Sequence, residues 1–318
     1  MTTDRGVDPA EGNGSTRAGD VALVGRPNVG KSTLLNALTG ETLSIVTPRA
    51  QTTRERVLGI YSDEQAQLVF VDTPGLLEPS YLFQRSMLEE ALDAVRDADL
   101  VLLLLDATRP EDRPGAEILR LLASRGDALF PAVNKVDAAE VAAVDSLAAW
   151  AQDTFGRAVH RISAKAGEGV EGLRAELVAA LPVSPFLYPA DEIAVQPVRF
   201  FVAEFVRETI FEQYEEEIPY STVVRIEEFR EAADPVYIRA TVYVERASQK
   251  GILLGRSGTG IRALGSVSRA KIEAFLGQRV YLDLWVKVLP DWRRKRSSLQ
   301  YLGYRMPAEA GPRDPRAS

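Results

Sequence analysis

Short continuous apolar runs recur along residues 19–182, and most of them are followed by a segment whose apolar positions are spaced as in a helix. The runs predict strands at 20–25, 56–61, 67–72, 100–106, 129–134 and 158–162. The segments with helical spacing predict helices at 31–39, 81–96, 114–125, 139–155 and 170–181. This alternation predicts a doubly wound α/β domain with a mostly parallel sheet, whose ligands bind just after the carboxyl ends of the strands.

The pattern changes after residues 182–189, where three prolines predict a stiff linker. A helical stripe at 198–210 is followed by two strands, a helix, a glycine-containing loop, a second helix and a last strand at 279–288. These elements predict a separate α+β domain. The chain is therefore divided into a disordered N-terminal tail (1–18), an α/β domain (19–182), a linker (183–195), a second domain (196–305) and a C-terminal tail (306–318).

Composition narrows the class of protein. The hydrophobic fraction of 46% is ordinary for a globular chain, and the absence of cysteine excludes a disulfide-stapled scaffold. The longest apolar run, Leu100–Leu105, is far shorter than the roughly 20 residues that span a bilayer, and we expect a cytoplasmic protein. The net charge is −7, yet Arg246–Arg305 holds thirteen basic residues against three acidic ones. This basic region indicates a polyanionic partner, unless it is only a solvated charged face.

The run Gly25–Ser32 fits G-x-x-x-x-G-K-[ST] between a predicted strand and a predicted helix, which is the context of a phosphate-binding loop. Lys31 is expected to reach the β- and γ-phosphates of a nucleotide, and the Ser32 hydroxyl is expected to bind Mg²⁺. The predicted nucleotide contacts of this loop are Gly25, Arg26, Pro27, Asn28, Val29, Gly30, Lys31, Ser32 and Thr33.

A second motif ends the strand at 67–72. Its carboxylate, Asp72, is placed to hold Mg²⁺ through water, and the amide of Gly75 can donate to the γ-phosphate. The next residue is leucine, which has no group to orient an attacking water, so slow hydrolysis that needs help from elsewhere is predicted. The predicted contacts of this motif are Asp72, Thr73, Pro74, Gly75 and Leu76.

Between these two motifs lies Gln51–Glu55, with two adjacent threonines. A threonine in such a loop binds Mg²⁺ only while the γ-phosphate holds the loop closed. We favour Thr53 as that ligand, with Thr52 as the alternative, and expect Ser44–Glu55 to be the mobile switch. Lys31, Thr53 and Gly75 are the predicted catalytic residues.

Two further motifs select the base. A carboxylate at Asp137 can accept both N1–H and N2–H₂ of guanine, a pair of donors that adenine lacks, so a P-loop ATPase is disfavoured. Asn134 can tie this loop to the phosphate loop, and the amide of Ala164 can donate to guanine O6. The predicted contacts are Asn134, Lys135, Val136, Asp137, Ser163, Ala164 and Lys165.

Together, GRPNVGKS, QTTRE, DTPG, NKVD and ISA in this order resemble the Era family of GTPases over roughly residues 19–305. The second domain is similar to a type II KH domain, in which a GxxG loop clamps single-stranded RNA. The resemblance implies GTP hydrolysis, rRNA near the 3′ end of the small-subunit RNA as the ligand, a role in ribosome assembly and loose membrane association. The implied RNA contacts are Lys250, Leu254, Gly255, Arg256, Ser257, Gly258 and Arg262.

Several further roles are hypotheses. In related GTPases with Pro-Asn in the phosphate loop the asparagine helps bind K⁺, which makes Asn28 a candidate K⁺ ligand. Trp285 and Trp292 are candidates for stacking on bases, and Arg293–Arg296 is a candidate for contact with phosphates or anionic lipid. The alternative function is a membrane-docked signalling GTPase. A monomer is expected.

Overall fold

The first domain alternates strands and helices as predicted. The computed structural model describes residues 16–46 and 52–306. The elements of the first domain are β1 (Arg17–Gly25), α1 (Lys31–Thr39), β2 (Val57–Ser62), β3 (Ala66–Asp72), α2 (Leu82–Asp97), β4 (Leu100–Asp106), α3 (Ala116–Ala123), β5 (Leu129–Asn134), α4 (Val141–Phe155), β6 (His160–Arg161) and α5 (Val170–Ala180). They form one six-stranded sheet in the order β2-β3-β1-β4-β5-β6, in which only β2 runs antiparallel to its neighbour.

Both faces of this sheet are covered, which explains why its central strands are continuously apolar. In β1, Val21 and Leu23 pack in one buried cluster with residues of α1 and α5, whereas Ala22 and Val24 pack in another with residues of α2 and α4. Side chains of a strand alternate between the two faces, so each strand supplies both cores. The doubly wound prediction is confirmed.

Several boundaries differ from those predicted. The sixth strand is only His160–Arg161, and the first begins at Arg17, so residues 17 and 18 of the predicted tail belong to the sheet. Arg17 pairs with Ala66 in β3, and its guanidinium donates to the Leu181 carbonyl. These partners are distant in sequence, and local composition does not reveal them. Residues 1–15 and 307–318 of the predicted tails lie outside the described residues.

The segment between the domains is bound to the open edge of the sheet. The backbone N–H of Ile60 in β2 donates to the Ile193 carbonyl at 2.9 Å, and that of Leu58 donates to Gln196 Oε1 at 3.1 Å. The fully buried Gln67 side chain accepts hydrogen bonds from the amides of residues 187 and 188 at 2.7 and 2.9 Å. The connection therefore satisfies backbone groups that an edge strand leaves unpaired.

The second domain contains the predicted elements in the predicted order, and it has two further short helices, one after the first helix and one after the last strand. Its elements are α6 (Val198–Gln213), α7 (Ile218–Ser221), β7 (Val223–Arg230), β8 (Val236–Val244), α8 (Ala247–Leu254), α9 (Thr259–Leu276), β9 (Val280–Val288) and α10 (Arg296–Leu302). The central strand β8 is antiparallel to β7 and parallel to β9. Val202, Val206 and Ile210 of α6 pack with Ile238 and Val242 of β8 in the buried core.

A fourth buried cluster joins the two domains. Phe83 and Met87 of α2 pack with residues that follow β9, among them Trp292 and Tyr304. The rings of Phe83 and Trp292 are 5.1 Å apart, and Trp292 Nε1 donates to the Ser221 carbonyl at 2.9 Å. The C-terminal segment is thus part of the interface between the domains.

This interface corrects two expectations. Trp292 is completely buried, so its proposed role in stacking on bases is wrong. Arg293 pairs with Glu245, and its carbonyl accepts a hydrogen bond from the Phe83 amide at 3.0 Å, so this member of the basic stretch has a structural role. Trp285 is 53% exposed, and its proposed role in stacking remains a prediction.

We expect Trp292→Ala to destabilise the folded chain by about 3–5 kcal/mol, because it removes a fully buried indole and leaves a cavity between the domains. The midpoint of urea unfolding measures the effect. Trp285→Ala is the matched control and should change stability by less than about 0.5 kcal/mol, since that side chain is half exposed. Equal losses in the two variants would contradict the interface described here.

Candidate functional site

The loop between β1 and α1 has a backbone that only particular residues can adopt. Gly25 and Gly30 have φ values of 153° and 102°, and Asn28 has a φ of 63°. A Cβ at Gly25 would lie 2.6 Å from the Leu104 carbonyl oxygen, and one at Gly30 would collide with the Asn134 side chain. The two glycines of the motif therefore permit both the curl of the loop and its close contact with neighbouring strands.

Lys31 begins α1 and is 6% exposed. Its Nζ donates to the carbonyl oxygens of Gly25 and Arg26 at 3.2 and 3.1 Å. Burial lowers the pKa of Lys31 to about 8, and the nearby Asp72 carboxylate partly opposes this shift. A buried ammonium held by carbonyls at the head of a helix is well placed to bind an anion.

Hydroxyl groups from three separate segments meet at the carboxylate of Asp72. Its Oδ2 accepts hydrogen bonds from Ser32 Oγ at 2.7 Å, Ser44 Oγ at 3.1 Å and Thr53 Oγ1 at 3.2 Å, and Ser32 Oγ lies 3.0 Å from Thr53 Oγ1. Asp72 is fully buried and its Oδ1 has no hydrogen-bond partner among the described residues. Burial raises the pKa of Asp72, while Lys31 and the three hydroxyls lower it.

This oxygen set fits a hard divalent cation. Mg²⁺ takes oxygen ligands and retains water, and an unpaired carboxylate oxygen beside two hydroxyls supplies both direct ligands and acceptors for bound water. Of the two adjacent threonines, Thr53 is the one whose hydroxyl meets Ser32 and Asp72. Thr52 lines the cleft, and Gln51 lies outside the described residues, as does the 47–51 part of the predicted switch.

The turn after β3 lies against the phosphate loop. The Leu76 amide donates to the Gly25 carbonyl at 2.9 Å, and a Cβ at Gly75 would lie 2.7 Å from the Pro27 ring. Thr73 Oγ1 donates to the Leu23 carbonyl at 2.8 Å. The Leu76 side chain is apolar and only 1% exposed, because it packs within the core. It therefore contributes no polar group to the cleft.

Asn134 connects three loops at the carboxyl edge of the sheet. Its Nδ2 donates to the Val29 carbonyl at 2.7 Å, and its Oδ1 accepts from the Ala164 amide at 2.9 Å. The Ala164 amide therefore orients Asn134, and its contact with guanine O6 remains a prediction. Lys135 Nζ donates to the Asn28 carbonyl at 2.7 Å, and Asp137 is exposed beside it.

These loops enclose a cleft of about 420 Å³. Three residues in or beside this cleft were not predicted as site residues, although Ser44 was predicted as the start of the mobile switch. Ser44 and Arg109 carry no motif, whereas Asp106, which pairs with Lys135 at 2.6 Å, ends an apolar strand and could have been found by the strand-end rule. Arg26, predicted as a nucleotide contact, directs its guanidinium to Asp112 and only its backbone carbonyl to Lys31.

A second candidate site lies between α8 and α9. Gly255, Ser257 and Gly258 have φ values of 67°, 53° and 77°, and a Cβ at Gly255 would lie 2.6 Å from the Gly260 amide nitrogen. Arg256 is exposed at the tip of this loop. These backbone conformations produce a tight turn. The turn exposes its backbone and the Arg256 side chain to solvent.

A groove of about 400 Å³ adjoins this loop between α9 and β9. Ile261, Leu282 and Leu284 supply apolar surface, and Arg269 and Tyr281 border it. Arg262 also borders the groove, but its guanidinium donates to the carbonyls of residues 257 and 258 at 2.6 and 3.2 Å. The structure thus gives Arg262 a role in holding the loop, which sequence reasoning did not predict. Lys250 on α8 is partly buried.

In the two described stretches, 16–46 and 52–306, no helix has both the length and the apolar composition needed to cross a membrane.

Comparison with known proteins divides the chain into the same two domains as the structure does. A family model described as a 50S ribosome-binding GTPase matches residues 20–135, and a KH domain model matches residues 217–293. The GTPase Era of Geobacter metallireducens is 41% identical over 291 residues, covering 91% of this chain and 98% of the relative. That of Thermotoga maritima is 42% identical over 285 residues, covering 88% and 95%.

Two solved structures are similar over nearly the whole chain. An Era variant of Aquifex aeolicus bound to GDP·AlF₄⁻ has 37% identity and a TM-score of 0.85, covering 92% of this chain and 100% of that one. An Era complex with MgGDPNP and nucleotides 1506–1542 of 16S ribosomal RNA has 36% identity and a TM-score of 0.86, with the same coverage. The present chain is therefore a GTPase with a C-terminal KH domain and belongs to the Era family.

Proposed function

We propose that this GTPase is a nucleotide-controlled switch that binds single-stranded 16S-type rRNA near its 3′ end and acts in assembly of the small ribosomal subunit. The exposed Arg256 loop beside an apolar groove carries the proposal, because single-stranded RNA needs both a backbone clamp and a surface for its bases. The similar Era structure in complex with 16S ribosomal RNA supports this choice of ligand.

In the proposed site, Lys31 neutralises the β- and γ-phosphates and the amide of Gly75 donates to the γ-phosphate. Ser32 and Thr53 would be the direct ligands of Mg²⁺, and Asp72 would hold a water bound to the ion. Bound Mg²⁺ would supply charge neutralisation on the phosphate oxygens. The threonine contact depends on the γ-phosphate and so distinguishes GTP from GDP.

Asp137 is proposed to accept the two donors on the guanine edge. Its loop is held in position through Asn134, which donates to the phosphate loop. Lys135 donates to the Asn28 carbonyl and pairs with Asp106. Its aliphatic stem is proposed to lie on the guanine base. GTP and GDP are therefore the proposed nucleotides.

Intrinsic hydrolysis is proposed to be slow, because Leu76 is buried and offers no group that orients water. The proposed help is a K⁺ ion beside the phosphates, with the Asn28 side chain as a ligand. The left-handed backbone at Asn28 places this residue at the turn of the phosphate loop, on the wall of the cleft.

We propose a cytoplasmic monomer. The alternative, a membrane-docked signalling GTPase, relies on the basic C-terminal segment, which includes Arg293–Arg296, as a lipid patch. Burial of Trp292 and pairing of Arg293 with Glu245 withdraw part of that patch into the interface between domains. This observation favours RNA over anionic lipid as the polyanionic partner.

Arg256→Glu should weaken binding of a single-stranded RNA with the 3′-terminal 16S sequence by at least about tenfold, because it reverses the charge that faces the phosphates. Fluorescence anisotropy with labelled RNA measures this, in the presence of GDP and of GDPNP. Tighter binding is expected with GDPNP.

Arg120→Glu is the matched control for this charge reversal, since Arg120 is exposed on α3 of the first domain. It should leave RNA affinity within about twofold. Loss of binding to anionic vesicles in Arg256→Glu, with RNA affinity unchanged, would instead support the membrane alternative. Equal RNA affinity with GDP and GDPNP would count against nucleotide control.

Asp137→Ala should weaken GTP binding by about a hundredfold and leave ATP binding unchanged, because the guanine donors lose their acceptor. Isothermal titration calorimetry with each nucleotide measures the ratio. Asp153→Ala, at an exposed position of α4, is the control and should keep wild-type selectivity. A variant at Asp137 that still prefers GTP as strongly as the parent would refute the assignment.

GTP hydrolysis should be faster in potassium than in sodium buffer of equal ionic strength, and Asn28→Gly should abolish the difference. Glycine accepts the positive φ of this position without strain but lacks the amide oxygen. Steady-state phosphate release in the two buffers measures the effect. Equal rates in both salts for the parent chain would rule out the K⁺ proposal.

A further inference from the structure

The side chain of Arg54 crosses from the GTPase domain into the KH domain. It directly follows Thr53, whose hydroxyl meets Ser32 and Asp72. Arg54 is only 5% exposed. Its guanidinium donates to the carbonyls of Thr222 and, at 2.9 Å, Pro219, both beyond the linker.

The acceptors of Arg54 are carbonyls of the single-turn helix α7 and of Thr222 directly after it, and the carbonyls of a single turn have no partner in a following turn. A guanidinium with its fan of donors matches such a group of carbonyls. A third contact, to Tyr220 O at 3.4 Å, joins the first two. These three carbonyl oxygens therefore form a site that favours a cationic side chain.

The segment that accepts hydrogen bonds from Arg54 is buried and held by a further hydrogen bond. Ser221 and Thr222 are fully buried, and the Ser221 carbonyl also accepts the hydrogen bond from Trp292. The Arg54 guanidinium lies 5.8 Å from the centre of the Phe83 ring, which belongs to the same cluster between the domains. The Arg54 side chain is thus buried in the interface between the domains and is not part of a solvent-exposed contact.

Consecutive Cα atoms are separated by a fixed 3.8 Å, so the position of Arg54 constrains that of Thr53. A cavity of about 140 Å³ lies beside this segment and is lined by residues of both domains, including Glu204 and Arg207 of α6. This space permits movement of the segment once either end is released.

We propose that Arg54 is a positioning residue through which the KH domain holds Thr53 at the Mg²⁺ site. The inference rests on the proposed role of Thr53 as a ligand of Mg²⁺ in the GTP state. Because the coupling is reciprocal, loss of the Thr53 contact also loosens the hold of Arg54 on α7.

Arg54→Ala in the full chain should weaken GDPNP binding in the presence of Mg²⁺ by about tenfold and leave GDP binding within about twofold. The Mg²⁺ concentration for half-maximal GTP hydrolysis should rise by a similar factor. Arg54→Lys keeps the charge but not the fork and should give an intermediate result. Calorimetry and steady-state kinetics give these values.

Two control variants distinguish this positioning role from a general loss of stability or of domain contact. Arg56→Ala removes an arginine two residues along, which donates to the Glu90 carbonyl within the first domain at 2.6 and 3.1 Å. Arg305→Ala removes a contact between the domains, to Asp93 at 2.9 Å, that does not involve the Thr53 segment. Both should keep the parent ratio of GDPNP to GDP affinity.

Thr53→Ala is measured in parallel. If it loses GDPNP affinity while Arg54→Ala and Arg54→Lys keep the parent ratio and the parent Mg²⁺ dependence, the inference is overturned and the proposed metal site stands. If Thr53→Ala is itself silent, the metal assignment fails and the inference fails with it. If Arg54→Ala does not fold, Arg54→Lys decides the question. A parent ratio of GDPNP to GDP affinity and a parent Mg²⁺ dependence in Arg54→Lys would then contradict the proposal.

Discussion

The buried carboxylate of Asp72 is the constraint around which the nucleotide cleft is organised. A charge at that depth is costly unless hydrogen bonds or a cation compensate it. The chain compensates it with hydroxyls from the phosphate loop, the segment at Ser44 and the segment at Thr53, and with the Lys31 ammonium nearby. Three stretches that are separate in sequence are thereby drawn to the carboxyl end of one strand, β3.

The same constraint extends beyond the first domain. Thr53 is held at Asp72 on one side, and the next residue, Arg54, is held by the carbonyls of α7 on the other. The interface around Phe83 and Trp292 keeps α7 in position. In our proposal, the Mg²⁺ ligand and the residue that contacts the KH domain are therefore adjacent, and neither domain needs a large rearrangement of its own core to influence the other.

Much of this organisation could be predicted from the sequence, because the motifs stand where continuous apolar strands end. Lys31 and Asp72 lie close together and Asn134 donates to the phosphate loop, as the strand-end rule requires. The roles of Trp292 and Arg262 could not be predicted, since an aromatic and an arginine in a basic region fit RNA contact as well as they fit burial or loop support. Their partners, Phe83 and the loop carbonyls, are fixed only by tertiary packing.

The linker bound along β2 has a further consequence. A free tether would let the KH domain explore a volume set by its length, and the two domains would meet with an effective concentration that falls as the tether grows. Here, hydrogen bonds to Ile60 and Gln67 fix both ends of the path to the sheet. If the whole interface opens, including the Arg54 contact and the cluster around Phe83 and Trp292, the KH domain stays attached at its N-terminal side. The available motion is then rotation about that attachment, and the interface can re-form without a diffusive search.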